Sequence, residues 1–343
     1  MPDDRVAPVI DLEAPDAAKA LDRACQAVGF FQVVGHGIAQ STIDDMLDMS
    51  REFFRLPVDE KMRASLNDPE VERGYSALGT EGFSYSTGVE TPPDLVEGFS
   101  MGRDYYPPDD PGFAPIPKMR QAFATNVWPE KPSGMREALV TYYGEIERVA
   151  HEIQVLMARA LDLDETFFDD KTDHSIDTLR VNYFSATPRT PAPEPGQFGL
   201  GPHTDYGIIT LLYATAVRGL QIADTAGRWQ DIIPSVGTLI VNLGDLTAQW
   251  TNDHWRSTIH RVVPLQCTEG DRIERLSVPF FREGNFDNLI ECLPSCCSAD
   301  NPARYEPVIG GEHLLAKFLG GRTLEASSAV STVGHDRDDA MRL

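Results

Sequence analysis

Positive charge is scarce in this chain. Its 343 residues carry 30 Lys and Arg against 53 Asp and Glu, a formal net charge of −23. A surface this acidic repels phosphate backbones and anionic lipid, so nucleic acid and membrane surfaces are poor partners. Long apolar runs are also missing. No stretch of about 18 such residues exists, which excludes a transmembrane helix. Met1-Pro2-Asp3-Asp4-Arg5 lacks the basic-then-apolar layout of a secretion signal. Cysteines are few and odd in number: Cys25, Cys267, Cys292, Cys296 and Cys297. An odd count in a long chain predicts reduced thiols and a cytoplasmic location. Cys292, Cys296 and Cys297 cluster, but no second Cys/His pair stands at zinc-site spacing, so they read as structural. Internal repeats and low-complexity blocks are absent.

What remains is an ordinary globular composition, 41% hydrophobic and 24% charged, too apolar for wholesale disorder. The length fits one elaborated catalytic domain with a full core. Residues 1–135 read as an N-terminal α/β region with irregular substrate-side loops. Val9-Ile10-Asp11-Leu12 and Phe30–Val34 are strand runs. Helices are expected over Ala17–Val28, closed by Gly29, and over Ser41–Phe54, capped by Ser41 and stopped before Pro57. Residues 66–135 are rich in proline and aromatics, more a lid or pocket wall than a linker. Residues 136–320 open with a long helix at 136–162 and continue with short β-forming runs at 178–184, 207–213, 219–223, 228–233, 238–243, 258–263 and 275–281. Strands this short and regular predict a mainly β sandwich or barrel with flanking helices. Residues 321–343 read as a mobile tail.

The chemistry gathers around His203-Thr204-Asp205, the only His-x-Asp in the chain. On a strand, residues two apart share a face, so both side chains could meet one ion. His260 lies in another strand-like run. Two histidines and one carboxylate make the facial triad of non-haem Fe(II) oxygenases, which leaves three metal positions open. Fifteen residues after His260 stand Arg275 and Ser277, again on one strand face. A guanidinium beside a hydroxyl suits a carboxylate, because the fork donates two parallel hydrogen bonds. The other histidines, His36, His151, His174, His254, His313 and His335, have no partner at ligand spacing and read as non-ligands.

Six segments follow one another in order: 179–184, 201–212, 219–222, 241–245, 258–262 and 275–281. With Gly29–Ile38, they closely resemble the isopenicillin N synthase-like family of Fe(II)/2-oxoglutarate dioxygenases, over roughly residues 8–320. The resemblance implies a double-stranded β-helix, or jelly-roll, core. It implies that His203, Asp205 and His260 ligate Fe(II), and that Arg275 and Ser277 hold the distal carboxylate of 2-oxoglutarate. Asn182 is a further cosubstrate contact by position. However, Tyr183-Phe184-Ser185 stands where many plant members have Tyr-Tyr-Pro. The implied reaction consumes O2, passes through a ferryl species, and hydroxylates or desaturates a small molecule with release of succinate and CO2. Pocket walls are expected from 66–135 and the C-terminal segment, with Tyr75, Phe99, Tyr183, Phe281 and Phe286 as candidate aromatics. The alternatives are a 2-oxoglutarate-independent oxidase of the same family, a zinc-site hydrolase, and a binding module that has lost its chemistry. Substrate identity and oligomeric state are not legible.

Overall fold

The computed structural model describes residues 6–66, 68, 70–268, 270 and 272–323. The first elements are β1 (Val9–Asp11), α1 (Ala17–Ala27), β2 (Phe30–Val34), α2 (Gln40–Phe54) and α3 (Val58–Met62). Helix α1 buries Ala17, Leu21, Ala24 and Cys25 along one stripe. It gives way to β2 at Gly29, whose φ of +71° lies in the left-handed region. A Cβ there would also meet the Arg256 carbonyl oxygen at 2.2 Å. Helix α2 differs from expectation at its start. Ala39 is the N-cap and makes no side-chain cap bond, so Ser41 lies inside the first turn rather than capping it.

The proline-rich stretch contributes two short strands, β3 (Gly74–Ser76) and β4 (Glu97–Met101), before the 26-residue helix α4 (Met135–Ala160). The β-rich half follows as β5 (Thr178–Ala186), β6 (Leu200–His203), β7 (Ile209–Ala214), β8 (Leu220–Ala223), β9 (Trp229–Asp231) and β10 (Leu239–Leu243). After the short helix α5 (Asp245–Trp250) come β11 (His260–Val262), β12 (Ile273–Arg282), β13 (Leu289–Ile290), β14 (Val308–Ile309) and α6 (Gly310–Thr323). Helix α6 was not foreseen. Residues 324–343, most of the expected tail, lie outside the described residues.

Eight strands form one sheet in the order β1-β2-β10-β7-β12-β5-β4-β3, and β6-β11-β8-β9 form a second. These are the two sheets of the jelly roll. Period-two alternation assigns the faces of the large sheet. Phe31, Val33, Leu179, Val181, Leu211, Val241, Leu276, Val278 and Phe280 join the buried cluster shared with α1, α2 and α4. The intervening residues, such as Phe30, Leu212 and Ile240, join a cluster with Leu220 and Ile222 of the second sheet. Arg275, Ser277 and Asn182 have the parity of this inner set, and Ser277 pairs in register with Asn182. Strands from residues 9–34 and 74–101 thus extend the sheet built by residues 178–282 at both ends.

Candidate active site

Three inner-facing groups converge near the second sheet. His203 and His260 are register partners on β6 and β11, with ring centroids 4.3 Å apart. Asp205 departs from the expected geometry: β6 ends at His203, and Asp205 lies two residues beyond the strand. Its carbonyl oxygen accepts from the Asp245 N–H (2.8 Å) instead of joining a ladder. Asp205 Oδ1 is 3.7 Å from His203 Nε2 and 3.6 Å from His260 Nε2. One ligand atom from each of the three residues lies within 4.8 Å of the others, and all three are buried.

The surroundings fix what each group presents. His203 Nδ1 lies 2.7 Å from the Gly201 carbonyl oxygen and His260 Nδ1 lies 3.1 Å from that of Thr258. A carbonyl oxygen only accepts, so each Nδ1 carries the hydrogen and each Nε2 lone pair faces the centre. Burial, then the neighbouring His260, pushes His203 down to about 4, so its ring is neutral near pH 7. Burial alone would raise the Asp205 carboxyl. The two imidazoles, with hydrogen bonds from Asn242 and Thr210, hold it below its ordinary value. Asn242 Nδ2 donates to Asp205 Oδ2 at 2.6 Å, and Thr210 Oγ1 donates to the same oxygen. Asn242 and Thr210 are register partners on β10 and β7. The chemistry of this donor set suits a divalent ion: two neutral nitrogens and one anchored carboxylate.

The Arg275 guanidinium is 1% exposed, and its Nε and Nη1 have no hydrogen-bond partner. It lies against the Phe184 ring at 5.3 Å, and burial lowers it to about 10. Two orphaned N–H groups in a dry setting form a receptor for a carboxylate, so the site fits 2-oxoglutarate. Ser277 is buried on the same strand face. Asn182 is already engaged, its Oδ1 accepting from Arg180 Nε at 2.7 Å.

A cavity of about 800 Å³, its open mouth included, adjoins the triad. His203 and Asp205 line it, with Glu72, Glu81 and Phe83 from the irregular segment, Arg180 and Phe281 from the sheet, and Leu314 and Phe318 from α6. Of the aromatics singled out in the sequence, Phe281 stands on this wall. Tyr75, Phe99 and Tyr183 do not: they belong to the opposite face, in the core beneath the helices. Tyr183 stacks on Phe54 at 4.9 Å and donates to Glu274. Parity explains the displacement, since Asn182 faces inward and its neighbour Tyr183 must face outward. Phe286 packs behind Tyr206 and Leu314 and lies directly beneath Gly311, where a Cβ would strike its ring at 2.1 Å. It seats α6 and does not line the cavity. His36 bonds the Gly237 carbonyl oxygen, and His151, His174, His254 and His313 stand outside the triad; His335 lies outside the described residues.

Two family profiles match the chain in succession. One is described as the N-terminal region of the non-haem dioxygenase in morphine synthesis (residues 7–131), the other as the 2OG-Fe(II) oxygenase superfamily (residues 175–284). A 2-oxoglutarate-Fe(II) type oxidoreductase, hxnY, of Emericella nidulans is 35% identical over 83% of this chain and 79% of its own length. The chain belongs to the Fe(II)/2-oxoglutarate-dependent dioxygenases, in their isopenicillin N synthase-like branch. The dioxygenase also matches the homoarginine-6-hydroxylase 2-ODD-233 of Oryza sativa at 31% identity, with 91% of each chain covered. The crystal structure of a full-length Neurospora crassa protein in complex with alpha-KG superposes with a TM-score of 0.77 at 30% identity, covering 91% of this chain and 95% of that one. Fe(II) and 2-oxoglutarate are therefore the cofactors of this dioxygenase, and the jelly-roll expectation holds.

Sequence reasoning gave no role to Glu72, Glu81, Arg180, Asn242, Thr210 or Glu283. Arg180 was within reach, being two residues before Asn182 on an inward strand face. Glu72 and Glu81 carried no such signal, because nothing local shows that they meet one cavity.

Proposed function

We propose that His203, Asp205 and His260 hold the Fe(II), that Arg275 with Ser277 receives the distal carboxylate of 2-oxoglutarate, and that a small molecule in the adjoining cavity is hydroxylated or desaturated. The observation that carries this reading is the convergence of two imidazole Nε2 atoms on one Asp205 oxygen, each ring locked by its Nδ1. The bound Fe(II), 2-oxoglutarate and O2 supply the oxidation of a C–H bond, with succinate and CO2 as co-products. The chain does the rest. Asn242 and Thr210 keep Asp205 from rotating, and Gly201 and Thr258 fix the tautomers. Arg275 orients the cosubstrate through its unpartnered guanidinium N–H groups, and Phe83 beside His203 (5.0 Å between rings) helps keep water out. Asn182 positions Arg180 through its Oδ1, and its register opposite Ser277 supports the expected cosubstrate contact. A small-molecule substrate agrees with the Neurospora crassa relative, which has also been solved with alpha-KG and thymine. None of the five cysteines is in a disulfide, which supports a reducing, cytoplasmic setting. No described helix is long and apolar enough to cross a membrane.

The test is an anaerobic visible-spectrum titration with Fe(II) and then 2-oxoglutarate. A weak charge-transfer band requiring both is expected in the wild type and absent in His203→Ala and Asp205→Ala, with both variants folded. A band retained in either variant would overturn the ligand assignment. Iron binding with no band would point instead to the 2-oxoglutarate-independent oxidase.

A further inference from the structure

We propose that Glu283 is a substrate-recognition residue of this dioxygenase, and that the substrate carries a protonated amine or guanidine against it. The inference rests on the reading above that the cavity beside His203 and Asp205 is the substrate site.

Glu283 directly follows β12, on the same parity as Arg275, Ser277 and Phe281, and lines the cavity. Its Oε2 is buried and has no hydrogen-bond partner among the described residues, and no Lys, Arg or His among them stands within ion-pair distance of the carboxylate. The backbone makes room for it: a Cβ on Gly207, two residues after Asp205, would fall 2.0 Å from Glu283 Oε2. An unpaired buried carboxylate is costly, and either a proton or a cationic ligand relieves that cost. Burial pushes its carboxyl well above the ordinary range, and Asp177, Asp205 and Glu72 push the same way.

The other charged groups of the neighbourhood are already engaged with one another. Arg180 Nη1 donates to Glu72 at 2.6 Å, Nη2 to Glu81 at 2.6 Å, and Nε to Asn182. Arg282 donates to Asp177 at 2.6 Å. Arg180 therefore has no edge left for an anionic substrate, whereas Glu283 lacks a cation. The two ends of the inner strip are thus opposite in demand. Arg275 waits for an anion, and Glu283, eight residues along and about 26 Å of extended chain away, waits for a cation. Phe281, Leu314 and Phe318 line the same cavity and offer an apolar wall for the carbon skeleton.

The experiment uses the full chain loaded with Mn(II) and 2-oxoglutarate and a matched probe set: 3-phenylpropylamine, 3-phenylpropylguanidine, 3-phenylpropanol and 3-phenylpropanoate. Calorimetric titration is expected to show the two cations binding at least about tenfold tighter than the alcohol and the carboxylate, as a desolvated charge-assisted contact gives. Glu283→Gln, nearly isosteric, should erase that preference while leaving alcohol binding and the Fe(II)/2-oxoglutarate band unchanged. Equal binding of all four probes, tighter binding of the carboxylate, no binding of either cation at millimolar concentration, or a preference that survives Glu283→Gln would each overturn the proposal. If the band itself fails to form in the wild type, the parent assignment of the site has failed instead.

Discussion

At the residue scale, two buried groups are held in states that solution would not favour. Arg275 has two N–H groups without acceptors. Arg275→Ala should raise the 2-oxoglutarate concentration needed for half-maximal succinate release about ten- to a hundredfold, since a charged contact contributes roughly 1.5–3 kcal/mol. An unchanged requirement would refute the role. Asp94 is the second case. Burial raises its carboxyl to about 7, against the hydrogen bonds from the Phe83 and Gly201 N–H groups. The folded chain keeps a proton there that the unfolded chain releases near pH 4. The stability this residue contributes is complete below about pH 4 and is lost as pH rises through about 7. Asp94→Asn keeps an acceptor and cannot ionise. Relative to wild type, it should gain about 2–4 kcal/mol between pH 4 and pH 8. Urea midpoints at pH 5 and pH 8 check this, and an equal difference at both would sink it.

At the element scale, the cavity depends on α6 being seated. Lys317 Nζ lies 3.8 Å from Asp245 Oδ2 with both side chains buried, and Gly311 sits on the Phe286 ring. Asp245 also accepts from Ser257 Oγ (2.7 Å) and Thr204 Oγ1 (3.1 Å), which ties the helix to the loop that bears Asp205. Lys317→Ala should increase amide exchange across residues 310–318 by at least about tenfold, because one partner of a buried ion pair is left uncompensated. Protection equal to wild type would show that packing alone seats the helix. The sequence showed the strands and α4 well because their apolar periods run on for many residues. It did not show α6, whose glycines, Gly310, Gly311, Gly320 and Gly321, disguise a helix that packing holds in place.

At the scale of the whole molecule, the division at residues 135 and 136 crosses a continuous sheet. β2 pairs with β10 through Val33↔Leu239 and Phe31↔Val241, and β4 pairs with β5. Removing residues 1–134 would bare two sheet edges and strip α1 and α2 from a buried face, which invites aggregation. Heat unfolding followed by far-ultraviolet dichroism and by tryptophan fluorescence should therefore give one shared midpoint. Two separated transitions would establish independent domains.

The sequence by itself determined the residue types of the triad, the order of the family's segments and, through alternation along β5 and β12, which residues turn inward. Tyr183, one residue past the inward Asn182, turns outward by the same alternation. Only the tertiary structure decided which inward residues share a cavity. Glu72, Glu81, Arg180 and Glu283 span more than two hundred positions, and none of their local patterns shows that three pair with one another while the fourth stays unpaired. Parity assigns a face, whereas the packing of two sheets and a terminal helix sets what stands opposite it.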